Sequence, residues 1–550
     1  MKSLFLLFIV CIFSACNTNT MSADLIVTNA KIWTGNPQNP WAEAMAIKDG
    51  IILAVGSEKD VLKWKSDSTE VLNVQQRFVT PGFIDSHLHF MTGGLNLSSV
   101  HLRDAKTPEE FIERIADFAK TTDDWITGGE WDHEQWGGEL PTKAWIDKFT
   151  KDVPVFVQRL DGHMGLANSK ALQLAGIDKN TKDVEGGEIV RNDQGEPTGI
   201  LKDNAIGLVA KAIPPPTDEQ LAKGLQAAMH YVASKGVTSV HQMAGDQPQH
   251  TLEAFENARK NNELITRIYV LTPIAKWHDL KEKIEKEGNG DEWVKYGGLK
   301  GFVDGSLGSH TAAFKAPYTD APNDKGIFVN PKDSLEHWVI EGDKAGLQVA
   351  VHAIGDDAIT FILDTYQKAE KENGSRDRRF RIEHAQHIDP IDYPRFAQLG
   401  VIASMQPYHA IDDGRWAERV IGPERIKSTY AFHSLLENNA ILAFGSDWYV
   451  APPDPLYGIY AAITRRTLDG ANPNGWVPEQ KISVEDALKA YTVNAAYASF
   501  DEKIKGSLEP GKLADFVVLS ENIFEVTPEH IKDVKVTQTF VNGQKVYELK

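Results

Sequence analysis

The sequence of 550 residues contains little cysteine: Cys11 and Cys16 are the only two. Both lie near the amino terminus, so the rest of the chain has no disulfide, no thiolate metal ligand and no cysteine nucleophile. Beyond residue 16 the sequence also lacks an apolar run long enough to cross a bilayer. These absences exclude a disulfide-rich fold and a protein with several membrane spans.

Positive charge is scarce as well. The chain carries 58 Lys and Arg against 77 Asp and Glu, which gives a formal net charge of −19. Nucleic-acid binding requires a basic face, so this balance argues against a nucleic-acid partner. The composition is otherwise that of a globular protein, with 42% hydrophobic and 25% charged residues. The length fits one large barrel with a satellite domain.

The first sixteen residues resemble a bacterial lipoprotein signal. Lys2 gives a positive start, residues 4–13 are apolar but too few to form a stable span, and small residues precede Cys16. We expect cleavage before Cys16, lipid on its sulfur, and an exported protein anchored on the periplasmic or outer-membrane side. Two alternatives stay open: a plain secretory signal, and a start at Met21 that would leave a cytosolic chain.

Short β-like segments occur at both ends of the chain. Residues 24–32 and 44–55 are rich in apolar β-formers, and Asp49-Gly50 marks a hairpin. The last residues repeat the pattern, with a hairpin signal at Asn542-Gly543. We expect a small β-sandwich domain built from residues 24–76 and 505–550, with a larger domain inserted between them.

Between these ends, eight strand-like runs alternate with helical stretches. After the strand that ends near His87, the others are residues 237–241, 267–271, 298–304, 347–352, 380–384, 401–405 and 440–447. This alternation predicts an α/β fold, a TIM-like (β/α)8 barrel over residues 77–504. The long stretch between His89 and Val237 predicts an insertion at about residues 95–230, after the first barrel strand and on the active-site side.

Polar residues recur at the ends of these strands, where barrel active sites form. His87 and His89 are two positions apart in a strand, so their imidazoles project from the same side, as half of a metal site would. Two satisfied core histidines are the alternative interpretation. A single strand histidine, or an aspartate before a helix, is often structural, but the repetition indicates a functional site. The further residues in such positions are Lys300, Asp304, His352, His384 and Asp447.

These residues lie in motifs that resemble the amidohydrolase superfamily, in particular its YtcJ-like (amidohydrolase 3) branch, which includes N-substituted formamide deformylases. The resemblance covers nearly the whole chain, from Leu25 to Val546. Its motifs are PGFIDSHLH (81–89), GVTSVHQM (236–243), LKGFVDGSLGS (299–309), VAVHAIGD (349–356), RIEHAQ (381–386), SMQPYH (404–409), AFGSDW (443–448) and GSLEPGKLADFVVL (506–519).

The resemblance implies a hydrolase of carbon–nitrogen bonds other than peptide bonds, acting on a small-molecule amide, N-substituted formamide or cyclic amide. It implies one or two divalent ions, with zinc as the expected metal. The implied ligands are His87, His89 and Asp447 for the more buried ion, and His352 and His384 for the more exposed one. Asp447 would take the proton of the attacking water and deliver it to the leaving amine.

Lys300 has a special role in this comparison. The resemblance implies that CO₂ carboxylates it and that the carbamate, which offers two anionic oxygens, bridges both ions. Lys202 is a rival candidate, but chain order favours Lys300, which lies on the fourth strand just ahead of His352. Asp304 shares a strand face with Lys300 and is expected either to bind the metal or to orient a ligand.

Five residues are expected to contact the substrate: His163, Trp131, Asp304, Gln406 and His409. His163 lies in an insertion motif similar to one of the family. Gln406 and His409 follow the seventh strand. Trp131 would form an aromatic wall with Trp136, the alternative being that both belong to the core of the insertion.

Two other functions are weighed against this one. A heterocycle deaminase of the same superfamily usually carries Glu three residues after the fifth-strand histidine, where this chain has Gly355. It also needs no fourth-strand lysine. A non-catalytic binding lipoprotein is the second alternative, but such relatives usually lose ligands, and every expected ligand position is filled here. We leave open whether the chain forms a homodimer.

Overall fold

The computed structural model describes residues 22–243 and 248–550. The expected signal peptide, with Cys16 and its lipid, lies outside these residues. No helix in the described part of the chain combines the length and the apolar character needed to cross a bilayer.

A sheet of eight parallel strands forms the centre of the molecule, and its order follows the chain. The strands are β1 (Phe83–Leu88), β2 (Val237–Gln242), β3 (Arg267–Pro273), β4 (Val294–Phe302), β5 (Gln348–Ala353), β6 (Arg381–His384), β7 (Ile402–Met405) and β8 (Ile441–Phe444). The ends of the sheet meet where Asp447 N donates to His87 O at 2.7 Å. The predicted TIM-like (β/α)8 fold class is therefore confirmed.

These strands are buried along almost their whole length, as expected for a parallel barrel covered by helices. The helices that follow β1 or lie between and after the later strands span Phe90–Asn96, Asp218–Ser234, Pro248–Lys260, Trp277–Glu287, Lys332–Lys344, Asp356–Asn373, Tyr393–Gln398, Pro407–Asp413, Ala417–Arg425, Phe432–Glu437, Pro455–Thr464, Val484–Ala490 and Val493–Ala498.

The helix before β2 shows how the sequence specifies these elements. Thr217 and Gln220 form a capping box at its start, which satisfies backbone N–H groups that the helix leaves free. Its buried side packs on the helix Phe90–Asn96, where a Cβ at Gly94 would lie 2.2 Å from Gly224 O. Only glycine therefore permits this close crossing of the two helices.

Two further sheets lie outside the barrel, one built from amino-terminal strands alone and the other from strands of both chain ends. The four-stranded sheet contains, in order, Ile51–Gly56, Ala44–Lys48, Leu25–Thr28 and Glu70–Asn73. The six-stranded sheet contains Gln544–Glu548, Val536–Val541, Phe516–Leu519, Phe78–Pro81, Lys31–Trp33 and Trp41–Ala42. Phe78–Pro81, which the sequence analysis assigned to the barrel, thus pairs in this sheet. A helix, Glu58–Val61, packs beside the strands of the first sheet.

A buried ion pair joins the barrel to the terminal sheets. Arg267 of β3 contacts both carboxylate oxygens of Asp515, with Nε–Oδ2 and Nη2–Oδ1 distances of 2.6 and 2.9 Å. This bidentate geometry is the strongest form of such a contact. It fixes the strand Phe516–Leu519 to the closed end of the barrel, opposite the strand ends that carry the polar residues.

The segment between β1 and β2 forms a sheet of its own. Its strands, in order, are Gly187–Arg191, Pro197–Asp203, Met164–Ala167, Phe156–Arg159, Gly128–Trp131 and Val100–His101. Its helices are Pro108–Phe118, Lys143–Ile146, Ser169–Leu174 and Ile206–Ala210. Phe111 and Trp131 meet edge to face at 6.3 Å in its core.

Candidate metal centre

Three of the predicted ligands meet at the carboxyl ends of the barrel strands. His87 Nε2 lies 3.4 Å from Asp447 Oδ1, and His384 Nδ1 lies 4.0 Å from Asp447 Oδ2. One ligand atom from each of the three residues falls within 4.8 Å of the others, and all three residues are buried. His89 borders this cluster, with Nε2 3.5 Å from Asp447 Oδ1.

The atoms that face each other in this cluster lack partners. Within residues 22–243 and 248–550, neither His87 Nε2 nor Asp447 Oδ1 has a hydrogen-bond partner, although both are buried. Buried polar atoms without partners cost free energy, so a native protein usually supplies one. An imidazole nitrogen and a carboxylate oxygen are both donors to divalent ions. The cluster therefore fits a metal ion by its own chemistry.

The backbone is bent at two of the three residues. His384 has φ of 71° and Asp447 has φ of 61°, in the left-handed region that residues other than glycine rarely adopt. Asp85 holds the second bend, because its carboxylate accepts from His87 N at 3.2 Å and from Ser446 N at 2.9 Å. Such conformations concentrate at functional sites, where surrounding contacts compensate for the strain.

Burial controls the ionisation of the cluster. It lowers the pKa of His87 and His384 well below the usual value and that of His89 to about 3, so these imidazoles are neutral at pH 7. A neutral imidazole is the form that binds a metal. Burial raises the pKa of Asp447 to about 8, against the charges of Lys300 and His163.

Lys300 and His352 lie beside this cluster. The Lys300 side chain is buried, with Nζ over the Phe302 ring at 4.6 Å from its centroid. Burial lowers the pKa of Lys300 to about 8, against the carboxylates of Glu383 and Asp447. The His352 ring lies 4.5 Å from that of His384. His352 Nε2 contacts the Gly305 carbonyl at 3.0 Å, so Nε2 donates and Nδ1 is the nitrogen left for a ligand role.

Asp304 contacts the backbone rather than the three-residue cluster. Its carboxylate accepts from Ala313 N and Gly355 N at 2.8 Å each and from Ile354 N at 3.0 Å. Burial nevertheless raises its pKa to about 7. Asp304 therefore holds the loop after β5, next to His352, whose Nε2 is 3.6 Å away. Of the three roles predicted for Asp304, as metal ligand, orienting group or substrate contact, this geometry corresponds to the orienting one.

The cluster opens into a cavity that reaches the insertion. His163 lines it, with Nδ1 2.6 Å from Asp203 Oδ1 and its ring 5.1 Å from that of His352. The cavity is also lined by His409, whose ring is parallel to that of His384 at 6.5 Å. Gln406 lies below it and accepts from His384 Nδ1 at 2.9 Å, which leaves Nε2 of His384 for a ligand.

Other residues named from the sequence lie elsewhere. Trp131 does not line this cavity: it is fully buried in the core of the insertion, where its Nε1 donates to Val157 O at 2.9 Å. This position corresponds to the alternative weighed for it above. Lys202 is held by Glu188 at 2.9 Å on the neighbouring strand of the insertion and does not line the cavity.

One wall of the cavity is charged and was not predicted from the sequence. Arg159 contacts Asp161 at 2.5 Å, and Arg415 contacts Asp132 at 3.2 Å and Asp412 more closely. The contact between Arg415 and Asp132 connects the insertion to the loop that follows the helix Pro407–Asp413. Two short acidic motifs, LDGH (160–163) and IDDG (411–414), were the available signal, but only the fold places them together.

Comparison with known proteins gives a consistent result. Residues 70–547 match the amidohydrolase family. Protein LONG AFTER FAR-RED 3 of Arabidopsis thaliana is 42% identical over 539 residues, 96% of this chain and 92% of that protein. The putative amidohydrolase YtcJ of Bacillus subtilis is 33% identical over 94% of this chain and 98% of its own length.

Two further relatives extend the comparison. The N-substituted formamide deformylase of Arthrobacter pascens is 27% identical, over 96% of this chain and 99% of its own. The crystal structure of an uncharacterised metal-dependent hydrolase from Pyrococcus horikoshii superposes with a TM-score of 0.74 at 28% identity, covering 92% of this chain and 99% of that one. The chain therefore belongs to the amidohydrolase family, as a hydrolase of the metal-dependent superfamily.

Proposed function

We propose that the protein hydrolyses a carbon–nitrogen bond other than a peptide bond, in an amide, an N-substituted formamide or a cyclic amide. The observation that carries this proposal is the buried cluster of His87, His384 and Asp447 at the mouth of the barrel, with two facing atoms that lack partners. The similarity to an N-substituted formamide deformylase supports the bond class. A divalent ion, with zinc as our expectation, would be held by these three residues and would lower the pKa of water toward 7.

Asp447 is the residue proposed to move the proton. Its Oδ1 faces the Nε2 atoms of His87 and His89, which leaves Oδ2 to hold the proton taken from the attacking water. A carboxylate within reach of the attacking water can act as its general base. Asp447 then returns the proton to the leaving amine, which departs as a neutral group.

His163 and Lys300 are proposed to complete the site. Asp203 accepts from His163 Nδ1 and, against the effect of burial, raises the pKa of His163, so the protonated ring can donate from Nε2 to the substrate carbonyl. Lys300 is proposed to be carboxylated: its neutral amine attacks CO₂, a C–N bond forms, and the amine proton leaves to solvent. A pKa lowered by burial supports this step because the neutral amine is the reacting form.

A deaminase remains the alternative, and the structure bears on it at Gly355. A Cβ at this position would lie 2.0 Å from Ala313 O. No glutamate can replace this glycine without a shift of the loop. The position that a deaminase usually fills with a proton-transferring carboxylate is therefore closed here, which favours hydrolysis of an amide.

The test combines metal analysis with a substrate screen. Zinc-loaded wild type is assayed against N-formyl amines, N-acetyl amines, cyclic amides and amino-substituted heterocycles. We expect zinc in the purified protein and turnover of the first three classes alone. Asp447→Asn is expected to keep the fold and lose nearly all turnover, whereas Asp364→Asn, at an exposed carboxylate far from the cavity, is the matched control. Turnover of heterocycles alone would replace this proposal by the deaminase, and near-normal turnover by Asp447→Asn would remove the proton role.

A further inference from the structure

We infer that Glu383 is the positioning residue of this metal centre, and that Arg381 holds its carboxylate in place. Glu383 Oε2 lies 2.5 Å from His87 Nδ1, and neither side chain is accessible to solvent. The inference rests on the proposed metal binding but not on the reaction. It concerns how the protein selects which nitrogen of His87 faces the site.

Arg381 holds the Glu383 carboxylate in place. Its Nε lies 2.7 Å from Glu383 Oε1 and its Nη2 lies 3.1 Å from Oε2. The guanidinium in turn donates to Ser86 O at 2.6 Å, to Ser404 Oγ at 3.0 Å and to His241 Nδ1 at 3.0 Å. Contacts from β1, β2, β6 and β7 thus hold one arginine at the centre of the barrel. Its charge compensates the buried carboxylate, which otherwise would be costly.

A carboxylate held by an arginine accepts hydrogen bonds, so the contact between Glu383 Oε2 and His87 Nδ1 places the proton of neutral His87 on Nδ1. The Nε2 lone pair then points toward Asp447 Oδ1, 3.4 Å away, where it is free to bind a metal. Without Glu383 the proton can move to Nε2 and form a hydrogen bond with Asp447. That bond would occupy two of the three ligand atoms, so the metal would have to displace it.

The backbone explains why this contact exists. Glu383 and His384 are neighbours in sequence, and neighbours in a regular strand point to opposite faces. The left-handed φ of 71° at His384 ends this alternation. The His384 ring consequently lies 4.7 Å from the His87 ring while Glu383 also reaches His87. The left-handed backbone at His384 therefore brings two residues to the site: His384 as a ligand, and Glu383 as the residue that orients the ligand His87.

Two variants separate the parts of this arrangement. Glu383→Gln keeps an acceptor for His87 Nδ1 but removes the charge. Arg381→Met combined with Glu383→Met removes the acceptor without leaving a buried charge unpaired. Asp515→Asn is the matched control, because it also breaks a buried arginine–carboxylate pair but lies at the other end of the barrel. Zinc affinity is measured on the full chain by competition with a chromogenic chelator.

We expect the double variant to bind zinc roughly 10–100-fold more weakly, Glu383→Gln to show a smaller loss, and Asp515→Asn to match wild type. Nitrogen NMR of the metal-free protein labelled with ¹⁵N-histidine, assigned with His87→Ala, should show His87 protonated on Nδ1 in wild type. Zinc affinity within twofold of wild type in the double variant, or His87 protonated on Nε2 in wild type, would overturn the inference.

The two failures can be told apart. A wild type that binds zinc and hydrolyses no amide would end the proposed function while the affinity series still decides the role of Glu383. If the double variant fails to fold, the inference is tested by the tautomer of His87 in wild type and by the zinc affinity of Glu383→Gln.

Discussion

His87 Nε2 and Asp447 Oδ1 face each other across 3.4 Å, and neither atom has a hydrogen-bond partner among the residues that the structure describes. The two residues come from opposite ends of the barrel sequence, β1 and the loop after β8. Their approach brings a nitrogen lone pair and a carboxylate together in a buried space.

The pH dependence of stability should change when Asp447 is neutralised. Its pKa is about 8 in the folded chain against an ordinary value of 3.8, so the metal-free folded state binds the proton more tightly than the unfolded state does. The stability from this group is complete below pH 4 and is lost as the pH rises toward 8. We expect Asp447→Asn to have a shallower decline of unfolding free energy between pH 5 and 8 than wild type, measured by urea denaturation without metal. An equal slope would show that Asp447 titrates normally.

Loss of Lys300 should weaken metal binding and activity together. We expect Lys300→Ala to lose roughly 10–100-fold in zinc affinity if the side chain acts as a carbamate ligand. A small carboxylate such as acetate should partly restore turnover, because it can occupy the space and supply two anionic oxygens. Lys202→Ala, on the insertion, is the matched control and should behave as wild type. Full activity in Lys300→Ala would exclude the carbamate.

His163 should affect turnover more than folding. We expect His163→Ala to lower kcat by roughly 10²-fold, the cost of removing one preorganised donor to a developing charge. Asp203→Asn should cause a smaller loss, because it disturbs only the orientation of the ring. His310→Ala, at a half-buried histidine paired with Asp320, is the control. Unchanged kcat in His163→Ala would place this residue outside the reaction.

The ion pair between Arg267 and Asp515 should matter for stability. Breaking a buried pair by removing one partner leaves a charge uncompensated, so Asp515→Ala should lower the unfolding free energy by about 3–5 kcal/mol. Urea denaturation of the metal-free protein measures this loss. Asp183→Ala, which removes the partner of a more exposed arginine, should cost under about 1 kcal/mol. Similar losses of unfolding free energy in Asp515→Ala and Asp183→Ala would show that burial does not determine how much each ion pair contributes to stability.

Export and lipidation remain a proposal drawn from the first sixteen residues. We expect the full chain, expressed in a bacterium, to fractionate with membranes, and Cys16→Ser to appear in the soluble fraction or remain as the unprocessed precursor. Cys11→Ser is the matched control and should stay with the membranes. A wild-type chain that is wholly soluble in the cytoplasm would favour the start at Met21.

The barrel could be predicted from the sequence because each of its strands is a short apolar run between helical stretches. The recurrence of histidine and aspartate after those runs likewise pointed to the strand ends. The contact of Glu383 with His87 was not predicted from the sequence, for a physical reason. In a regular strand it would point away from the face that His384 occupies, and no local sequence signal predicts the left-handed backbone at His384.

The cavity wall was missed for another reason. Arg159 and Asp161 belong to the insertion, and Asp412 and Arg415 belong to the helix after β7 and the loop that follows it. Their proximity depends on how the insertion packs against the barrel. The hydrophobic periodicity of the sequence carries no information about that packing. Trp131 shows the converse: an aromatic residue next to a polar motif suggested a pocket, yet its indole satisfies its only donor inside the core.

The hydrogen bond from Asp447 N to His87 O closes the barrel and also sets the spacing of the metal ligands. Asp85 and Ser446, which brace this junction, are 361 residues apart in the chain. A growing polypeptide therefore cannot capture an ion at this site until nearly all of it has been synthesised and folded. If the protein is exported unfolded, it acquires its metal on the far side of the membrane, from whatever supply that compartment holds.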